Sequence, residues 1–116
     1  MKKYRSIIID KDTFEILDGT KGIYPLKDIV NCDILNEKAK KRGKQEPFLA
    51  LMGVGPTGIF QDPYLFVGIR IRMKDNVMLA VYISEKKTQV GTDQYTRDRK
   101  EAKEIVKRLD FIKKTA

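Results

Sequence analysis

The sequence contains no histidine and a single cysteine. Because histidine is the commonest general base near neutral pH and the commonest metal ligand, its absence removes the simplest acid–base and metal sites. Cys32 has no second cysteine with which to form a disulfide, so nothing indicates an oxidising compartment. No apolar run approaches the roughly 18 residues of a membrane helix, and residues 7–9 are too short for the core of a signal peptide. We therefore expect a cytoplasmic protein without a cofactor, a metal or a catalytic centre.

The length and the charge of the chain set the next limits. With 116 residues it has the size of one domain, which can bury about two thirds of the surface of the unfolded chain. Its 24 Lys and Arg residues exceed its 16 Asp and Glu residues, which gives a net charge of +8. This excess favours association with nucleic acid, acidic lipid headgroups or acidic proteins, although a solvated basic surface accounts for it equally well.

Short antiparallel strands are predicted in the N-terminal part, where β-branched and aromatic runs alternate with turn residues. These runs cover residues 4–9, 14–17 and 23–24. Asp18-Gly19 is a strong hairpin signal because glycine accepts a positive φ without a steric penalty. Pro25 lacks an N–H group and should end the pairing, and residues 26–29 should turn the chain.

A further strand is predicted over residues 30–36. Val30, Cys32 and Ile34 recur at every second position, so they should share the face that points into the core. Cys32 is then a small core residue rather than a reactive thiol.

The strongest β signal lies between Tyr64 and Ser84, where two apolar-alternating runs flank Lys74-Asp75-Asn76. A three-residue loop places both apolar sets on one face, whereas a two-residue loop would shift the register and place them on opposite faces. We predict that Asn76 adopts the left-handed conformation that such a loop requires. The predicted pairs are Met73 with Val77, Ile71 with Leu79 and Ile69 with Val81.

An amphipathic helix is predicted over residues 96–114, with Asp93 or Thr96 as its N-terminal cap. The apolar stripe of this helix consists of Ala102, Ile105, Val106, Leu109 and Ile112. A second, basic stripe consists of Lys100, Lys103, Lys107 and Lys114. Phe111 falls roughly opposite the apolar stripe, so it should be covered by a wrapping last turn or by another chain.

A basic, exposed loop is predicted over residues 37–47, where Gly43 and Pro47 act as breakers. Such a loop can reach the phosphates of a partner, or it can serve only to keep the protein soluble. The candidate contacts are Lys38, Lys40, Lys41, Arg42 and Lys44.

The glycines at positions 53, 55 and 58 spell G-x-G-x-x-G, the pattern of dinucleotide phosphate loops. That function requires a helix that begins at the last glycine, but Pro63 follows Gly58 too closely for one to form. We therefore interpret residues 48–63 as an apolar, glycine-rich connector that covers part of the sheet or an interface. No nucleotide is expected at these glycines.

The outer face of the predicted hairpin, opposite the apolar set, combines aromatic and arginine side chains. These can stack nucleic-acid bases or form a protein interface. A cover formed by the connector would account for the same residues. The candidates on this outer face are Tyr64, Phe66, Arg70, Arg72 and Tyr82.

The chain resembles the bacterial pleckstrin-homology-like and GRAM-like domains in the order of its elements and in several short stretches. These stretches are Asp18-Gly19, IYPLKDI at residues 23–29, the insert LALMGVGPTGIF, the run 64–83 and the final EAKEIVKRL. The resemblance implies a strongly bent antiparallel sheet or a partly open barrel, closed at one end by the C-terminal helix. It also implies a binding module for lipids, peptides or proteins. No phosphoinositide-binding motif is evident, so inositol-lipid binding is not implied.

The sequence thus predicts one mainly β domain over residues 1–116 with a C-terminal helix, acting as a non-enzymatic interaction module. The expected partner is another protein or an anionic surface, and self-association is left open. The alternative is a nucleic-acid-binding protein that uses the basic loop and the outer face of the hairpin. A third hypothesis, a small enzyme, requires distant carboxylates to converge in a polar pocket.

Overall fold

The computed structural model of the protein describes residues 1–38 and 64–115, and the side chains of residues 1–37 and 64–110 among them. The glycine-rich connector and most of the predicted basic loop lie outside these residues. So do the side chains of Phe111 and Ile112, and the predictions made for them stay predictions.

The described strands form two antiparallel sheets, which are followed by one long helix. The first sheet has the order β1 (Lys2–Lys3), β2 (Ile7–Ile9), β3 (Thr13–Ile16) and β4 (Gly22–Pro25). A 3-10 turn (Leu26–Asp28) leads to the second sheet, which consists of β5 (Ile29–Lys38), β6 (Leu65–Met73) and β7 (Met78–Tyr82). The helix α1 spans Asp93–Thr115. The prediction of a mainly β fold with a C-terminal helix is confirmed. The described strands do not close into a barrel, and the single bent sheet is not confirmed.

The first sheet contains one turn that the sequence analysis did not predict. Residues 4–9 were expected to form one strand, but the backbone N–H of Tyr4 donates to the carbonyl oxygen of Ile7 at 2.8 Å and reverses the chain. Lys2 and Lys3 therefore pair with Ile9 and Ile8 as a separate strand. The turn places the Tyr4 ring in the core, where its hydroxyl donates to Glu104 Oε1 of the helix at 3.1 Å.

The hairpin of β6 and β7 has the predicted register. Ile69 pairs with Val81 and Ile71 with Leu79, and the N–H of Met73 donates to the carbonyl oxygen of Val77 at 2.7 Å. Asn76 adopts the predicted left-handed conformation, with φ of 63°. Asp75 also has a positive φ, 66°, which the sequence analysis did not predict. The apolar alternation and the length of the loop therefore determine this hairpin.

The start of β5 contradicts one predicted core residue. The register shifts between Ile29 and Asn31, so an extra residue is inserted opposite β6. As a result Ile29 is buried, with 3% of its surface exposed, while Val30 is 39% exposed. Beyond the shift, Cys32 and Ile34 pack against the core as predicted.

The two sheets meet where the turn after β3 reaches the outer edge of β7. Gly19 forms an isolated antiparallel bridge with Val81. The N–H of Thr20 donates to the carbonyl oxygen of Ala80 at 2.9 Å, and the N–H of Tyr82 donates to that of Asp18 at 3.0 Å. The turn thereby satisfies backbone groups that an edge strand would otherwise expose.

Arg5 clamps the same junction. Its Nη1 donates to Asp18 Oδ2 at 3.1 Å, and its Nη2 donates to the carbonyl oxygens of Tyr82 and Ile83 at 3.0 and 3.1 Å. One guanidinium group therefore ties the turn between β1 and β2 to the turn after β3 and to the end of β7.

The helix begins three residues earlier than predicted. The N–H of Tyr95 donates to Thr92 Oγ1 at 3.2 Å, so Thr92 is the N-terminal cap instead of Asp93 or Thr96. In the apolar stripe, Ala102, Ile105 and Leu109 are completely buried. They pack with residues of both sheets in one hydrophobic core.

We predict that Gly19→Ala destabilises the protein more than Gly91→Ala does. Both glycines have a positive φ, +131° and +90°, but a Cβ on Gly19 would lie 2.0 Å from the carbonyl oxygen of Ala80. No described atom lies within 4 Å of a Cβ on Gly91. Backbone strain should cost about 1–2 kcal/mol at either site, and the clash should add about 1–3 kcal/mol at Gly19. Equal free energies of unfolding in urea would contradict the close approach of the two sheets.

We also predict that Leu109→Asp severely destabilises the protein, because it removes apolar burial and places a carboxylate in the core. The melting temperature should fall by more than about 10 °C. Lys103→Asp, on the exposed side of the same helix, is the control and should cost less than about 1 kcal/mol. An unchanged melting temperature for Leu109→Asp would refute the packing of the helix.

Candidate partner-binding site

The residues predicted for the outer face of the hairpin differ in their exposure. Tyr82 is only 4% exposed, and its hydroxyl donates to Glu37 Oε1 at 2.8 Å. Glu37 is itself 1% exposed. Phe66 packs edge-on against the Tyr82 ring, with 6.2 Å between the ring centroids. The Tyr82 ring therefore offers no face on which a base could stack.

The other three residues of that face are more accessible. Arg70 Nη2 donates to Asp33 Oδ2 across the strands at 3.3 Å, and Arg72 is exposed. Tyr64 is 37% exposed, and Lys87 Nζ lies 4.5 Å from the centroid of its ring. The five predicted residues thus range from the buried Tyr82 to the exposed Arg72 and Tyr64, and their role as a binding surface stays a prediction.

The cations of the predicted basic loop cannot be placed. The predicted start of the exposed loop is wrong, because residues 37 and 38 belong to β5 and Glu37 is buried. The side chain of Lys38 lies outside the described part of the chain. Lys40, Lys41, Arg42 and Lys44 also lie outside it. Their role stays a prediction.

A groove lies between the helix and β5, and its floor is apolar. Ile34 of β5 and Val106 of the helix contribute to its lining, and both are half-buried and packed against the core. The groove has a volume of about 540 Å³. This size falls within the range of about 300–1,000 Å³ that is typical of binding pockets.

Three lysines of the predicted basic stripe, Lys100, Lys103 and Lys107, line the same groove. All three are exposed. They share one flank of the helix because they are spaced three and four positions apart. Within the described part of the chain, no salt bridge involves them. Their ammonium groups can therefore meet the charges of a partner.

Two carboxylates also belong to the described rim of the groove. Glu104 accepts a hydrogen bond from the Tyr4 hydroxyl at 3.1 Å, and Asp110 lies near the end of the described side chains. Among the described residues, the lining therefore combines three cations, two anions and an apolar floor. This composition differs from the uniformly basic surface that the net charge alone suggests.

Two other carboxylates of the helix, those of Asp98 and Glu101, interact with residues outside the described groove lining. Asp98 Oδ2 accepts from Ser84 Oγ at 2.8 Å. Partial burial raises the pKa of the Glu101 carboxyl above its usual value, the charges of Asp98 and Glu104 raise it further, and Arg5 opposes the shift. Burial likewise raises the pKa of the Tyr4 hydroxyl. The acids of the helix are thus divided between the groove, where Glu104 and Asp110 lie beside the lysines, and the positions of Asp98 and Glu101, which are not among the described lining residues.

A second, smaller pocket of about 210 Å³ lies on another side of the helix, and the sequence analysis missed it. Lys2, Lys11 and Arg108 line this pocket together with Asp10, whose Oδ1 accepts from the N–H of Lys11 at 2.8 Å. Lys2 comes close to Lys11 because β1 folds back on β2. This turn gave no signal in the sequence, so the cluster could not have been predicted.

Among the described residues, no group of three or more Cys, Asp or Glu residues is placed to hold a metal ion. Nor does this part of the chain contain a helix long and apolar enough to cross a membrane. Comparisons of the chain with protein-family models, curated proteins and solved structures found no match.

We predict that Tyr82→Phe destabilises the protein by about 1.5–3 kcal/mol, because it removes a buried hydrogen bond to a carboxyl group. A double-mutant cycle with Glu37→Leu, which removes the acceptor, isolates this pair from the other contacts of each residue. The coupling energy from urea unfolding should be about 1 kcal/mol or more in favour of the pair. Strictly additive effects of the two substitutions would show that the bond contributes nothing.

Proposed function

We propose that the chain is a non-enzymatic interaction module, similar to pleckstrin-homology-like and GRAM-like domains, that binds a protein partner or an anionic surface. The observation that carries this proposal is the groove between the helix and β5. It combines an apolar floor with three lysines that form no salt bridge among the described residues. Antiparallel strands followed by a C-terminal helix that packs on them support the resemblance at the level of the fold class alone.

The energetics of the groove favour a contact that uses its floor as well as its rim. An exposed ion pair contributes only about 0.2–1 kcal/mol, so three lysines alone would give weak, salt-sensitive binding. Burial of one large apolar side chain contributes about 1.5–3 kcal/mol more. A partner that engages Ile34 and Val106 together with the lysines would therefore bind more tightly than a partner recognised by charge alone.

Nucleic-acid binding is the alternative proposal. Arg72 and Tyr64, which are exposed, support it, and its remaining determinants belong to the basic loop outside the described residues. It requires an affinity that falls steeply with salt and that depends on Lys40, Lys41 and Arg42. These two properties distinguish it from binding in the groove.

We predict that replacing Lys100, Lys103 and Lys107 with serine weakens partner capture at least tenfold. The change removes the cations of the described rim and leaves the floor intact. The control replaces Lys21, Lys27 and Lys86, which are exposed residues outside the groove lining, and lowers the net charge equally. Capture from a native lysate at low and physiological salt, quantified by mass spectrometry, measures the effect. Equal losses of capture in both variants would show that the interaction depends only on net charge. Unchanged capture by the groove variant would show that the groove lysines do not contact the partner.

A further inference from the structure

We propose that the groove between the helix and β5 binds one class of ligand: a peptide segment of a partner protein that is acidic and carries at least one large apolar side chain. This inference rests on the proposed function and makes it more specific. Three features of the lining support it: the continuity of the floor with the core, the spacing of the lysines and the carboxylates on the rim.

The floor provides a place for the apolar side chain. Ile34 and Val106 are both partly buried, and both pack against residues of the main core. An apolar group that settles between them would extend this core and leave fewer apolar atoms in water. A phosphate group or a sugar ring would gain little from such a floor, because it would lose hydration without finding a hydrogen-bond donor there.

The rim provides places for carboxylates along the helix. The α-helical rise of about 1.5 Å per residue separates Lys103 from Lys107 by about 6 Å along the axis. This distance is close to the roughly 6.6 Å between alternate side chains of an extended peptide. Acidic residues two positions apart can thus pair with both lysines, while Lys100 extends the basic rim by another turn.

The carboxylates of Glu104 and Asp110 distinguish a peptide from a uniform polyanion. A nucleic-acid backbone or a plane of anionic headgroups would bring negative charge to these residues as well as to the lysines. A peptide can place a neutral or a basic residue opposite each carboxylate. A concave floor is also out of reach for a flat membrane surface. The mixed charge of the rim therefore favours a protein segment.

The test uses the full chain and a random peptide library displayed on phage. Enriched peptides should carry a net negative charge and at least one Leu, Ile, Phe or Met. A synthetic, fluorescein-labelled copy of an enriched peptide is then measured by fluorescence anisotropy at about 50 mM and about 200 mM salt. Replacing its apolar residue with serine should weaken binding at least tenfold, even at the higher salt concentration. Replacing its acidic residues with glutamine should weaken binding mainly at the lower one.

Matched protein variants locate the contact. Lys103→Ser/Lys107→Ser and Ile34→Thr should each weaken binding of the same peptide at least fivefold, whereas the control Lys21→Ser/Lys27→Ser should not. Because Ile34→Thr also affects the core, its melting temperature is measured in parallel, and the serine-substituted peptide tests the apolar contact independently of protein stability.

Two further probes complete the test. One is a vesicle that contains phosphatidylglycerol, and the other is a short DNA duplex. Two results would overturn the peptide proposal: no enrichment of acidic, apolar peptides, or binding that is indifferent to the groove variants. If vesicles or DNA then bound through the groove lysines, the interaction module would remain and only its ligand class would be wrong. If no probe bound and lysate capture were also unaffected by the groove lysines, the proposed function would fail as well.

Discussion

The close approach of Gly19 to the edge of β7 is the contact on which the arrangement of the two described sheets depends. A side chain at this position would overlap the carbonyl oxygen of Ala80, and the φ of +131° excludes most other residues. Because the turn can approach so closely, the backbone groups of Asp18, Thr20, Ala80 and Tyr82 pair across the junction. Arg5 reinforces this junction from the N-terminal side. The helix then packs over apolar residues from both sheets instead of one.

Features determined by local pattern could be predicted from the sequence. The register of β6 and β7 follows from the alternation of apolar residues and from the length of the loop between them. The apolar stripe of the helix follows from its periodicity. By contrast, the bulge that buries Ile29 in the core and leaves Val30 exposed depends on the pairing of β5 with β6, a strand far along the chain. The cap at Thr92 and the turn at Tyr4 involve residue types that fit several neighbouring positions equally well.

The candidate site was predictable only in part, for a related reason. The sequence revealed that Lys100, Lys103 and Lys107 share one flank of the helix, but only the tertiary structure brings Ile34 beside them. The outer face of the hairpin shows the opposite case. Its alternation correctly grouped Phe66, Arg70, Arg72 and Tyr82 on one face. Alternation cannot report that Tyr82 and its partner Glu37 are buried while Arg72 remains exposed.

The junction at Gly19 has a consequence for the order of folding. Thr20 and Ala80, which bond to each other there, are separated by 60 positions in the chain. Closing so long a loop is entropically costly, whereas β6 and β7 can pair through a three-residue connection. The hairpin can therefore form before the sheets dock. During synthesis, β1 to β4 leave the ribosome long before β7, and Ile7, Ile9 and Ile16 lack their partners from the second sheet until it arrives. During this interval these apolar side chains are uncovered, which makes the nascent chain prone to aggregation.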